Sequence, residues 1–139
     1  MREFIFILIL LTISATHAAD TKTQFGVGLG TPGGLNLVAK GFINDTPVQF
    51  SIGTAGSGLY GLEAGYSFYF DDSSSFRSSQ MVVGVIYAEY VNEHNSPNYP
   101  YIGVTTTFQW GGFYIEPGLS LTYNRTAGVL PNLQFGFLW

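Results

Sequence analysis

The sequence predicts an all-β protein whose eight antiparallel strands run up and down and close into a transmembrane β-barrel. Three observations carry that expectation. Apolar residues alternate with small or polar ones from Gln24 to the last residue, which is the period of a strand and not of a helix. Charged residues make up 10% of the chain, against about 25% in an ordinary soluble domain. An apolar run at the start has the form of an export signal.

That run is Phe4 to Ile13, preceded by Met1-Arg2 and followed by the small and polar Ser14-Ala15-Thr16-His17-Ala18. It is about half the ~20 residues that span a bilayer as a helix, so it reads as a secretory signal and not as an anchor. Cleavage after Ala18 places the small Thr16 three residues before the cut; removing 18 of the 139 residues leaves 121, expected to be one barrel domain over residues 19–139. The chain has no Cys, which excludes a lipidated N-terminus, disulfides, thiol nucleophiles and Cys-bound metals. With 17% aromatic residues, five basic residues and a net charge of −4, it suits neither disorder nor nucleic acid.

The elements follow in order. Phe25, Val27 and Leu29 share one face of the first strand, and Thr31-Pro32-Gly33-Gly34 turns it. A second strand covers about Leu35 to Ile43 and ends at Asn44-Asp45; a third, about Pro47 to Thr54, sets Val48, Phe50 and Ile52 against Gln49, Ser51 and Gly53. After Ala55-Gly56-Ser57-Gly58 the fourth strand, Leu59 to Phe70, alternates Tyr60, Leu62, Tyr66 and Phe68 with Gly61, Glu63, Gly65 and Ser67. The polar stretch Asp71 to Gln80 reads as a turn. In the fifth strand, Met81 to Val91, both faces are apolar, so neither it nor Glu89 can be oriented. A loop over Asn92 to Pro100 leads to a sixth strand with Ile102, Val104, Phe108 and Trp110 opposite Gly103, Thr105, Thr107 and Gln109, and Gly111-Gly112 makes a hairpin. The seventh sets Phe113, Ile115, Leu119, Leu121 and Tyr123 against Tyr114, Glu116, Gly118, Ser120 and Thr122. Arg125 to Asn132 reads as a loop, and Leu133 to Trp139 is the eighth strand.

Strands of about 9 to 11 residues suit a tilted crossing of a membrane, and eight is the smallest barrel that bacterial outer membranes use. A soluble sandwich would need a charged outer surface that this composition does not supply. In a membrane barrel the apolar face turns out to lipid and the small, polar face turns inward.

The chain ends Leu133-Gln134-Phe135-Gly136-Phe137-Leu138-Trp139, with Leu133, Phe135, Phe137 and Trp139 on one face and an aromatic residue last. This strand resembles the assembly signal of outer-membrane barrels. With the leader and the strand count, the chain resembles small barrels of the OmpA transmembrane-domain or OmpX type. The resemblance implies the outer membrane of a Gram-negative bacterium, with outer-membrane lipids, lipopolysaccharide and the barrel assembly machinery as partners and both termini in the periplasm. It makes 31–34, 55–58, 92–100 and 125–132 extracellular and 44–46, 71–80 and 111–112 periplasmic. The outer loops are then short and the 71–80 turn long, unlike the family, and little outer surface is left for an adhesin or a phage receptor.

Lys40, Glu63 and Glu116 fall mid-strand on inward faces, near Gln49, Gln109 and Asn36. Charges inside a narrow barrel need partners, so a structural network filling the lumen is expected, with Lys40 pairing with Glu63 or Glu116; a narrow pore for small solutes is the alternative. Tyr60, Phe70, Trp110, Phe113, Tyr123 and Trp139 lie near strand ends, where interfacial girdles place aromatics. Tyr99 and Tyr101 are the one pair placed to form an outer sugar platform. His94-Asn95-Ser96 resembles the His-x-Ser arrangement of the outer-membrane lipid A deacylases, but Pro97 follows and no carboxylate comes before Glu116. A scaffold without catalysis, cofactor or metal is the expectation, with a lipid A hydrolase using His94 and Ser96 as the remaining alternative.

Overall fold

The computed structural model describes residues 23–56, 58–89, 98–124 and 126–139. The export signal with its cleavage after Ala18, and the loop pair His94 and Ser96, lie outside these residues. Eight strands follow one another: β1 Gln24–Gly30, β2 Gly34–Ile43, β3 Thr46–Thr54, β4 Leu59–Phe70, β5 Phe76–Ala88, β6 Asn98–Trp110, β7 Phe113–Asn124 and β8 Thr126–Leu138. Each pairs antiparallel with the next, and β8 pairs back onto β1 to close the barrel.

Closure carries a fixed stagger. Following paired residues from Gly26 through Val38, Ser51, Glu63, Gly84, Tyr101 and Thr122 leads to Gly128 on β8, yet Gly26 itself pairs with Leu138, ten residues further on. Eight strands with that stagger tilt by about 40° and form a cylinder of roughly 8 Å backbone radius, which side chains can fill. The end that carries the start of β1 and the end of β8, here the terminal end, also carries the turns at 44–45, 71–75 and 111–112, and the opposite end carries those at 31–33 and 55–56. Strand length grows from 7 residues in β1 to 13 in β8, so at the seam β8 continues to Thr126 while β1 stops at Gly30, opposite Gln134.

Three segments that read as turn or loop are strand. Phe76 to Gln80 opens β5, which leaves a turn of only 71–75 in place of 71–80. Its Ser78 and Gln80 are polar because they face a polar interior, and an irregularity at Arg77 re-aims the strand there. Residues 126–132 belong to β8 despite Gly128, Pro131 and Asn132, and Asn124 pairs directly with Thr126. Leu133 bonds the Thr31 amide through its carbonyl, so Pro131, two residues away, faces the same seam beyond the end of β1, where a missing N–H breaks no ladder bond. β6 likewise begins at Asn98, inside the stretch read as a loop. At 44–45 both Asn44 and Asp45 adopt positive φ, the geometry of a two-residue hairpin turn, which these side chains tolerate.

The distribution of polarity is inside-out for a protein in water. Leu35, Leu37, Ile52, Leu62, Leu121 and Val129 are among the many large apolar residues on the outer surface. Asn36, Gln49, Gln80, Thr107, Glu116 and Gln134 are buried within the lumen. The fifth strand also acquires an orientation, with Ser78, Gln80 and Val82 inward and Met81 and Val83 outward.

Candidate functional site: the polar lumen

Three layers fill the lumen in series. The first is built on Glu116 of β7, which is 2% exposed and collects five donors. Its Oε1 accepts from Gln49 Nε2 at 2.9 Å, Gln80 Nε2 at 2.9 Å and Thr105 Oγ1 at 3.1 Å. Its Oε2 accepts from Lys40 Nζ at 2.9 Å and Thr107 Oγ1 at 2.7 Å. The donors come from β2, β3, β5 and β6, so one carboxylate ties strands from across the barrel. Lys40 also donates to Thr107 Oγ1 at 2.9 Å, and its ammonium stands 5.1 Å from the centre of the Tyr114 ring. A buried charge is tolerated only when paired and fully hydrogen-bonded, and this one is both. Lys40 therefore pairs with Glu116 and not with Glu63.

The second layer joins Glu63 of β4 to Tyr101 of β6, whose hydroxyl donates to Glu63 Oε2 at 2.7 Å. The Tyr101 ring must cross β5 to make that bond. It does so over Gly84, where a Cβ would overlap the ring. Tyr101 thus belongs to the lumen and forms no outer sugar platform with Tyr99.

The third layer is the β1–β2 turn itself. Read from sequence as an outer loop, the 31–34 turn instead tucks into the barrel, with Pro32 and Gly33 buried. Asn36, completely buried, accepts the Gly33 amide at 3.0 Å and donates to the carbonyls of Gly30 at 3.0 Å and Thr31 at 3.2 Å. Gln134 Nε2 donates to the Thr31 carbonyl at 2.8 Å, while Gln134 Oε1 accepts from the Tyr114 hydroxyl at 3.0 Å. Gly61 faces Pro32 and Gly53 faces Asn36 so closely that a side chain at either position would displace the turn. Sequence alternation alone places Tyr114 and Gln134 on inward faces, but the layers they build depend on contacts across the lumen, and Tyr101 is found only through them. Gln80 is not legible as a lumen residue in the sequence, where it ends the polar stretch that reads as a turn.

On the terminal side of the Glu116 layer the lumen opens into a vestibule of about 570 Å³, lined by Lys40, Gln49, Gln80, Ser78 and Arg77 among others. Phe70 belongs to this vestibule and not to an outer girdle. A register shift between Ser67 and Tyr69 pairs Phe70 with the inward Ser78, and the ring meets Phe42 edge-on at 5.2 Å. Tyr69 takes the outward place and its ring meets Phe76 at 5.1 Å, tilted by 54°. From there a run of neighbouring rings continues through Phe108 and Trp110 to Phe113 around the terminal end. Trp139 and Phe137 are exposed at the same end, Leu133 and Phe135 face outward above them on β8, and Tyr60 and Tyr123 are exposed towards the opposite end. Gln109 is buried apart from the Glu116 network and donates to the Gly111 carbonyl at 2.9 Å.

Among the described residues, no group of three or more His, Cys, Asp or Glu side chains could hold a metal ion. Comparison with protein-family models, with curated proteins and with solved structures found no match to this chain.

Proposed function

We propose that the protein is an integral barrel of the bacterial outer membrane, exported and inserted by the barrel assembly machinery, that serves the envelope as a scaffold without catalytic activity. One observation carries the reading: a closed eight-stranded wall whose outer surface is apolar and whose interior is polar and hydrogen-bonded. Closure satisfies the backbone groups that lipid cannot, and an apolar exterior is stable only in lipid. Lipopolysaccharide and phospholipid are then its neighbours. The three layers in series favour a plugged lumen over a pore, since each is held by direct side-chain bonds.

The test is reconstitution of the full chain after export in a Gram-negative host. Bilayers containing lipids brominated along the acyl chain should quench the fluorescence of Trp110 and Trp139, and a planar bilayer should show no discrete openings. Recovery of the folded protein from the soluble fraction without detergent would overturn the membrane reading. Voltage-stable openings would replace the scaffold with a pore.

A further inference from the structure

The seam between β1 and β8 is paired over only part of its height. Successive residues of β8 point their backbone groups alternately towards β7 and towards β1. Leu138 donates to the Gly112 carbonyl beside β7, and Trp139 exchanges two bonds with Phe25 beside β1, so the odd-numbered positions face β1. The last of them that β1 serves is Leu133, whose carbonyl accepts the Thr31 amide and whose amide donates to Thr31 Oγ1. There the β1 chain turns into the lumen with Pro32 and Gly33, while β8 runs on to Thr126. The amides and carbonyls of Ala127 and Val129 and the carbonyl of Pro131 therefore point past the end of β1, and they have no partner among the described residues.

The same stretch is the barest part of the wall. Val129 is 68% exposed, and Tyr123, Leu121 and Leu119, which stand opposite Ala127, Val129 and Pro131 on β7, follow it as the most exposed large apolar residues described. A row of unpaired backbone groups is a template for a further strand, and lipid offers it neither donor nor acceptor. These groups recur at every second residue, about 7 Å apart, which is the repeat of another extended backbone and of no headgroup or sugar. We infer that residues 127–131 of β8 are a docking edge for an extended segment of a partner polypeptide, which adds as a short strand above Thr31. Two hydrogen bonds from Ala127, two from Val129 and one at the Pro131 carbonyl hold it. Its residues opposite these three turn outward beside Val129 and are apolar; those between them turn inward beside Gly128 and Leu130. A second copy in the membrane proposed above does not fit. Antiparallel pairing of two such edges would turn one barrel upside down, and a twofold axis along the membrane normal would cross them at about 80°, twice their tilt.

The experiment is a titration of the full chain, folded in dodecyldimethylamine oxide, with the peptide acetyl-Lys-Val-Thr-Val-Thr-Val-Lys-amide. Nitrogen-15 NMR follows the Ala127 and Val129 amides, which should shift saturably. Two methylated peptides separate pairing from adsorption to the micelle. N-methylation of the three valines removes the donors that face β8 and should weaken binding at least tenfold, whereas N-methylation of the two threonines, whose amides face away, should leave it within about twofold. Val129→Pro takes away the central donor without touching the ladder to β7, as Pro131 does in the parent, and should weaken binding about tenfold. If that variant does not give a folded spectrum, Val129→Lys places a charge on the edge in its place, with a several-fold loss expected. No saturable shift, equal affinity of the two methylated peptides, or unchanged affinity in the folded variant would overturn the assignment. So would a saturable shift of both amides on raising the barrel concentration alone, which would make a second copy the occupant. None of these outcomes bears on whether the barrel resides in a membrane.

Discussion

Glu116 binds five donors from four other strands, which makes it the residue whose alteration should be felt most widely. Glu116→Gln removes the charge opposite Lys40 and places an amide donor against Gln49 and Gln80, which already point their own donors there. Stranding one member of a buried ion pair costs about 3–5 kcal/mol, so the urea midpoint in detergent should fall clearly. Adding Lys40→Met should restore part of that loss, because the stranded ammonium is then gone; an equal or greater loss in the double variant would show that the pair is not the unit. Gly84→Ala acts by sterics. Its methyl group occupies the path of the Tyr101 ring, breaks the bond to Glu63 and should lower stability by about 1–3 kcal/mol, with little further effect once Tyr101 is replaced by Ala.

At the scale of elements, the β1–β2 turn is a plug held by side chains on β2 and β8. Gly61→Val should push Pro32 out of the lumen, so that a cysteine placed at Thr31 reacts with a water-soluble maleimide roughly tenfold faster than in the parent. Equal rates would mean that the turn is not seated by Gly61. The 71–75 turn gives a pH dependence of known sign. Asp71 accepts from the Ser73 amide at 2.9 Å and hydroxyl at 2.6 Å, and these bonds, aided by Arg77, hold its carboxyl below the ordinary 3.8. A depressed value in the folded turn stabilises it above pH 3.8 and is lost as pH falls through the lower, folded value. Amide exchange at Ser73 should therefore be slower than in Asp71→Ala at neutral pH and approach the variant's rate as pH falls well below 3.8, which NMR exchange can follow. Period-two alternation makes most of these elements legible, because each strand keeps an apolar outer face and a polar inner face over most of its length. What escaped it was non-local. Gln80 looks like part of a turn until a polar interior is there to receive it, Pro131 looks like a break until the seam leaves its N–H side unpaired, and the irregularity at Ser67–Tyr69 turns Phe70 inward against the parity of its strand.

For the molecule as a whole, the stagger of ten residues and the unequal strands are one fact seen twice. The terminal rim is nearly level, while the opposite rim climbs around the cylinder from β1 to β8. At a tilt of about 40°, 7 residues rise roughly 18 Å and 13 residues roughly 33 Å. A hydrocarbon layer of about 30 Å therefore fits the wall at β5 to β8 and overtops it at β1. In the membrane proposed above, lipid would have to shorten beside the low wall or the cylinder lean until the two sides compromise, each at a fraction of a kcal/mol per Å. The protein would sit in that membrane as a wedge, with a thin, disordered lipid patch on one flank and ordinary lipid on the other.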